Sequence, residues 1–82
     1  MNVDPVREFI AREFLGGTDP AALESTTPLI SSGVIDSVGT LRLVLFLEET
    51  FAVEIGATEI ADGALDTLAA IGLLLDTKLA GK

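Results

Sequence analysis

The chain lacks the side chains that most often perform chemistry in small proteins. Cysteine, histidine, tryptophan and tyrosine are all absent from its 82 residues. Without cysteine there are no disulfides and no thiolate metal sites, and without histidine the commonest general base is missing. An enzyme would have to work with carboxylates, hydroxyls, lysine or arginine, so a small hydrolase or lyase is an unfavoured interpretation, and we expect neither enzymatic activity nor a metal site.

Basic residues are also scarce. Five Lys and Arg stand against 13 Asp and Glu, which gives a formal net charge of −8. Phosphate contacts need Lys and Arg, so nucleic acid is not an expected partner, and anionic membrane surfaces are disfavoured for the same reason. The excess of acid favours a partner with a basic face, although it would equally keep a small hydrophobic protein in solution.

Long apolar segments are missing as well. The longest apolar run covers residues 68–75 and is far too short to span a bilayer, and the charged N-terminal residues are unlike a signal peptide. The apolar fraction of 49% is nevertheless too high for a disordered chain. We therefore expect residues 1–82 to form a single domain that is monomeric and cytoplasmic.

Apolar residues recur at helical spacing in three long segments and one short segment. The second helix is apolar on most sides, so it is either central in the fold or has a face for a partner. Aspartates precede three of the segments and are the expected N-caps: Asp4, Asp36 and Asp66. The predicted helices run from Asp4 to the Gly16-Gly17 pair, from Ser37 to Phe51, from Gly56 to Asp62, and from about Asp66 to Leu79.

The sequence thus predicts an all-α bundle of four helices with a long loop between the first two. That loop, residues 16–36, is rich in Gly, Thr, Pro and Ser. Loops of this length are uncommon in small domains and are often functional. Gly33 is expected to supply a backbone conformation that other residues resist.

Ser37 follows this loop directly, at the predicted first position of the second helix. The N-terminus of a helix has unpaired N–H groups and a partial positive charge, so it favours an anion such as a phosphoryl group on Ser37. The plainer interpretation is that Asp36-Ser37 only caps the helix. A catalytic serine is disfavoured because histidine is absent and nothing places Lys78 or Lys82 near Ser37.

Residues 29–38 read LISSGVIDSV, and residues 41–55 read LRLVLFLEETFAVEI. These segments resemble the acyl carrier protein family, which includes peptidyl and aminoacyl carriers. The family pattern is a glycine, then Asp-Ser-Leu, an apolar helix ending in Leu-Glu and Phe, and an alternating segment ending in Ile. The order of the predicted helices resembles that of the family over residues 4–79. The sequence itself resembles the family specifically over residues 29–55 and only weakly elsewhere.

The resemblance implies a free-standing carrier. A phosphopantetheinyl transferase would attach 4′-phosphopantetheine from coenzyme A to Ser37, beside Asp36, and the thiol of that arm would hold an acyl or aminoacyl group as a thioester. The carrier would present this cargo to a loading enzyme (an adenylating enzyme or an acyltransferase) and to downstream synthases or transferases. The alternative is an unmodified helical protein–protein interaction module that uses the apolar second helix.

The chain departs from the family pattern in three places. Val38 replaces leucine, Gly39 lies in the first helical turn, where it costs up to about 1 kcal/mol relative to alanine, and Arg42 stands where fatty-acid and polyketide carriers have an acid. An arginine would repel a partner built for an acid, which favours a dedicated pathway with its own enzymes, such as that of an aminoacyl or specialised-metabolite carrier. We expect a specialised pathway of the polyketide or nonribosomal peptide type. Alternatively, Arg42 pairs with Glu48 or Glu49 or is solvated.

The expected recognition face extends from the attachment serine along the second helix and beyond it. Residues 36–66 contain seven acids and one arginine, which accounts for −6 of the net charge of −8. Leu41 and Leu45 could line a channel for the cargo together with Ile60 or could be tightly packed core. The members of the expected face are Val38, Arg42, Leu45, Glu48, Glu49, Ile55 and Ile60.

Overall fold

Four α-helices form most of the regular structure in the described part of the chain. A computed structural model describes residues 3–17 and 19–81, and these residues include no strand. The all-helical class predicted from the sequence is therefore confirmed at the level of a small helical bundle. Within the described ranges, no helix has both the length and the apolar character needed to cross a membrane. The helices are α1 (Asp4–Phe14), α2 (Ser37–Phe51), α3 (Ala57–Ala61) and α4 (Leu68–Ala80), and a 3₁₀ turn covers Pro20–Ala22.

The core is built from one face of each long helix and from the loops between them. Leu23, Leu29 and Ile35 of the long loop are all buried in it, so that loop is attached to the core at three points. Burial of such side chains supplies most of the folding free energy, at about 25 cal/mol per Å² of apolar surface. The side chains with no measurable exposure are Val6, Ile10, Leu29, Leu43, Leu47, Leu65, Leu68, Ile71 and Leu75.

Of the three predicted N-caps, only the one at α2 is observed. The carboxylate of Asp36 accepts a hydrogen bond from the N–H of Gly39 at 2.6 Å, as expected for a capping aspartate. At α1 the N-cap is Val3, and Asp4 lies in the first helical turn, where it forms an ion pair with Arg7 at 3.2 Å. Pro5 still occupies the first turn, where its missing N–H has no cost.

The third predicted cap, Asp66, has a different role. Thr67 caps α4 by accepting from the N–H of Ala70 at 3.0 Å, and Asp66 turns towards the long loop. Its carboxylate accepts from the N–H groups of three successive loop residues, Leu29, Ile30 and Ser31, at 3.1, 2.7 and 2.9 Å. The Ser31 hydroxyl donates a fourth bond at 2.7 Å.

We call this arrangement the Asp66 clip: the Asp66 carboxylate with residues 29–31. The bonds from the N–H and hydroxyl of Ser31, followed by those from Ile30 and Leu29, hold the pKa of Asp66 below its ordinary value against the opposing effect of burial. Just after the clip, Gly33 has φ of +86°, which confirms its predicted conformational role. The clip thus sets the path of the chain that leads into α2.

Gly39 marks a close approach of α1 to α2. A Cβ at this position would lie 2.6 Å from Cε1 of Phe14 and 3.1 Å from both Ile35 Cγ2 and Asp36 Oδ1. The Phe14 ring is itself held edge-on against Phe9, with ring centroids 5.9 Å apart and an interplanar angle of 74°. The glycine in the first turn of α2 is therefore explained by contact with the aromatic ring of α1.

We expect Gly39→Ala to destabilise the protein by about 1 kcal/mol in urea denaturation. Displacing the Phe14 ring costs about 1–3 kcal/mol, and better helix propensity returns up to about 1 kcal/mol. Gly72→Ala is the matched control, because its Cβ would lie 3.2 Å from a single methyl carbon of Val3; we expect it to be neutral or stabilising. The Phe14→Ala background lacks the ring, so Gly39→Ala should be less destabilising there than in the wild type. An equal effect on unfolding free energy in both backgrounds would show that the proposed clash is incorrect.

Candidate functional site at the start of the second helix

Ser37 is the first residue of α2, and its side chain is exposed. The cap of the helix does not use its hydroxyl. Asp36 provides the cap through its carboxylate and also accepts, through its main-chain oxygen, from the N–H and the hydroxyl of Thr40, both at 2.8 Å. The first turn is therefore held by Asp36 and Thr40, and the Ser37 hydroxyl projects from a rigid support.

The backbone N–H groups at this terminus differ in how they are used. The Gly39 N–H bonds to the Asp36 carboxylate and the Thr40 N–H to the Asp36 carbonyl, whereas nothing in the described part of the chain accepts from those of Ser37 and Val38. These two donors can help to solvate an anion attached to Ser37.

An open cleft of about 580 Å³ lies beside Ser37. Its walls come from the long loop, the start of α2 and the short helix α3, and they are mainly apolar. Leu41 and Ile60, two of the three residues considered for a channel, thus line this open cleft, whereas Leu45 is not part of its lining. The lining residues are Ile30, Gly33, Ile35, Asp36, Ser37, Thr40, Leu41 and Ile60.

Three apolar side chains stand exposed on α2. Val38 is 68% exposed, Leu41 62% and Leu45 56%. Leu41 was missing from the recognition face predicted from the sequence, because apolar residues surround most of α2. Its spacing was the available signal: it lies three residues after Val38 and four before Leu45, and such positions share one side of a helix.

Arg42 lies on the same side of α2 and contacts α1. Its guanidinium forms an ion pair and hydrogen bond with Glu13 and sits 5.7 Å from the centroid of the Phe14 ring. Its partner is therefore an acid 29 residues earlier in the chain, and not Glu48 or Glu49, the partners considered from the sequence. The Arg42 side chain stays 50% exposed, so it is still accessible from solvent.

The remaining members of the predicted face are dispersed. Ile55 is 9% exposed and belongs to the core, which differs from the expectation that it contributes to the surface. Glu48 is half-buried and accepts from the N–H of Ile55 at 3.0 Å. Glu49 is exposed, and Ile60 is half-buried in the wall of the cleft.

Several acids in residues 36–66 have a local structural role. Asp36, Glu48 and Asp66 each accept from backbone N–H groups, as described above. Glu59 accepts from the N–H of Gly56 at 2.9 Å and pairs with Lys78 at 2.9 Å, contacts that lower the pKa of Glu59 in that order of importance. The concentration of acid here is thus explained in part by capping, and it is weak evidence for a basic partner.

No protein-family model matches the chain, and no curated protein matches it. The described residues also contain no cluster of three acidic side chains that could hold a metal ion. The residues around Ser37 and the sequence pattern of residues 29–55 are therefore the features of the chain that bear on its function.

Proposed function

We propose that the chain is a carrier protein that holds acyl or aminoacyl groups on a 4′-phosphopantetheine arm attached to Ser37. The observation that carries the proposal is the exposed Ser37 hydroxyl at the start of a capped helix, beside an apolar cleft. Together with the resemblance of residues 29–55 to carriers, this favours attachment over a plain capping role for the Asp36-Ser37 pair.

The residues around Ser37 fit the attached phosphate. The exposed hydroxyl can enter the active site of a transferase, and the N–H groups of Ser37 and Val38 can solvate the phosphodiester. Asp36 is the nearest carboxylate in sequence, and it accepts a hydrogen bond at 2.6 Å from the N–H of Gly39 in the first turn of α2. The cap thus occupies one oxygen of the Asp36 carboxylate, although Asp36 lines the cleft together with Ser37.

In the attachment step, the Ser37 oxygen forms a bond to the phosphorus that bears the pantetheine group of coenzyme A. The bond from that phosphorus to the bridging oxygen breaks, 3′,5′-adenosine bisphosphate leaves, and a base of the transferase takes the serine proton. The chain supplies a positioned hydroxyl and no catalytic group, which is compatible with its lack of histidine and cysteine. The bound arm supplies the thiol that carries cargo as a thioester.

The cleft supports a carrier role because it offers apolar shelter within reach of Ser37. The partners would be a phosphopantetheinyl transferase, a loading enzyme such as an adenylating enzyme or acyltransferase, and downstream synthases or transferases. Arg42 favours a specialised pathway with its own enzymes, such as one that carries an aminoacyl group, because a positive charge beside the arm selects against partners built for an acid.

Intact-mass measurement tests this function. We expect incubation with coenzyme A, magnesium and a broad-specificity phosphopantetheinyl transferase to add the mass of one phosphopantetheinyl group and to create one titratable thiol in a chain that has none. Omission of the transferase is the control. An unchanged mass with a transferase that modifies a reference carrier under the same conditions would contradict the proposal.

A second candidate is an unmodified interaction module. The observation in its favour is the set of exposed apolar side chains, since Leu73 on α4 is 70% exposed in addition to those on α2. This candidate requires a stable complex with an unmodified partner and no gain in mass, so the same measurement separates the two.

A further inference from the structure

We propose that the outer side of α4 is an interaction surface that binds an apolar helix of a partner protein, and that this helix carries a lysine or arginine. The surface, called here the α4 groove, lies between α4 and the loop that follows α3. It consists of residues 62–64 of that loop together with Ala70, Leu73, Leu74 and Thr77 of α4. None of these residues lines the cleft beside Ser37, so the inference does not depend on whether Ser37 is modified.

The pattern of α4 is the first observation. Its buried side is formed by residues 68, 71, 72 and 75. Residues 70, 73, 74 and 77 are spaced three and four apart, so they share another side of the helix, and none of them is charged. A surface helix ordinarily has charged and polar residues opposite its buried side. Apart from one threonine, α4 is apolar on both sides, which is typical of a helix that another protein covers.

Exposure of Leu73 is the second observation. Its side chain is 70% exposed, and among the described residues it is the one large apolar side chain outside α2 with such exposure. A single exposed leucine needs no explanation. Leu73 is not isolated, however, because Leu74 beside it is only half-buried and both line the same groove.

The shape of the groove suits an inserted side chain. Its volume is about 390 Å³, and an apolar space of about 150 Å³ is already enough for benzene, so a leucine or phenylalanine side chain can enter. Gly63, Ala64 and Ala70 have little or no side chain with which to fill this space. An amphipathic helix that lays its apolar side into such a groove is a recurring mode of recognition.

Charge decides what the partner places beside its apolar side chain. Asp62 alone is charged among the residues that line the groove; it is exposed, and none of the ion pairs in the described part of the chain includes it. Lys78, the base on α4, is half-buried and paired with Glu59 at 2.9 Å, so its charge is already compensated. With a net charge of −8 on the chain, the complementary group is a lysine or arginine of the partner.

A second copy of the chain is a poorer occupant for the α4 groove. Two copies would bring together two net charges of −8, and the groove of neither copy provides a base for Asp62. The occupant is therefore a different protein that presents an apolar helix edged with basic residues.

The test is an NMR titration of the isotope-labelled chain with a synthetic amphipathic helix that has leucines along one side and lysines beside them. We expect saturable binding, with the largest amide shift changes at residues 62–64 and 70–77. Leu73→Gln keeps the length of the side chain but removes the apolar contact, so it should raise Kd at least about tenfold. Asp62→Asn should raise Kd by about threefold, as expected for one exposed ion pair.

Matched controls accompany each change. Leu45→Gln makes the same substitution at an exposed leucine on α2, and Glu49→Gln removes one exposed negative charge from α2. Both should leave Kd within about twofold of wild type. The same peptide with glutamate in place of every lysine should bind at least about tenfold more weakly, and the circular dichroism of every variant should match wild type.

Three results would overturn the inference. They are no saturable binding up to about 1 mM peptide, shift changes centred on residues 38–45, and the same Kd for Leu73→Gln and Leu45→Gln. Concentration-dependent dimerisation that Leu73→Gln abolishes would assign the groove to a second copy and would also overturn it. Failure of Ser37 loading in the intact-mass experiment leaves the α4 groove unaffected, and failure of peptide binding leaves the carrier function unaffected.

Discussion

Ser37→Ala is expected to abolish phosphopantetheinylation completely, so the mass of the variant stays at its calculated value after prolonged incubation with coenzyme A and transferase. The phosphodiester needs the Ser37 oxygen as the attacking atom, and alanine has no substitute. The helix should survive the change, since Asp36 and not Ser37 caps α2 and Ser37 is exposed. Far-ultraviolet circular dichroism and the urea midpoint should therefore stay close to wild type.

Ser25→Ala is the matched control for Ser37→Ala. Ser25 is another exposed serine, and it contributes its carbonyl oxygen to the fold by accepting from the N–H of Ala69 at 3.0 Å. We expect this variant to be modified at the wild-type rate. A gain in mass that persists in Ser37→Ala would show that another residue carries the group and would rule out Ser37 as the attachment site.

Asp66→Ala is expected to cost about 2–4 kcal/mol of stability, because the carboxylate accepts three hydrogen bonds from Ile30 and Ser31 and bonds to charged groups are each worth about 1.5–3 kcal/mol. The Leu29 N–H, 3.1 Å from the carboxylate, keeps its shorter bond of 2.7 Å to the main-chain oxygen of residue 66. Chains of this size have about 4–12 kcal/mol in total. Each kcal/mol lost lowers the thermal midpoint by about 4–8 °C, so the midpoint should fall by about 8–32 °C. Urea denaturation followed by circular dichroism measures the effect. Asp62→Asn, an exposed aspartate four residues earlier, is the control and should be nearly neutral.

The Asp66 clip also predicts a dependence of stability on pH. Its hydrogen bonds lower the pKa of Asp66 below the ordinary value of 3.8, so the folded state favours the ionised carboxylate. The stabilisation is fully present above the ordinary pKa and is lost as pH falls through the lower pKa of the folded state. The difference in unfolding free energy between wild type and Asp66→Asn should be constant near neutral pH and shrink below about pH 4. A difference that does not change over that range would contradict a charge-based clip.

The limits of α2 could be predicted from the sequence because the signals are local. Asp36 lies three residues before the N–H that it caps, and the helical pattern from residue 37 to residue 51 contains no proline or second capping signal that would end it earlier. The same local rule failed at Asp4 and Asp66. At Asp66 a long-range interaction replaces the local cap. The N–H groups of residues 29–31 donate to the Asp66 carboxylate, and Thr67 caps α4 instead.

What the sequence by itself determined is the helical class, the start of α2 and the position of Ser37 at that start, since each depends on residues within a few positions of one another. Tertiary structure decided the rest of the site. The cleft forms where the long loop, α2 and α3 come together. Arg42 pairs with Glu13, which lies 29 residues earlier in the chain. Gly39 lies against the Phe14 ring of another helix, which leaves little room for a side chain. Ile55 is part of the core in the folded chain. Such contacts arise only after helices pack, because packing selects one arrangement among many that the same local patterns allow.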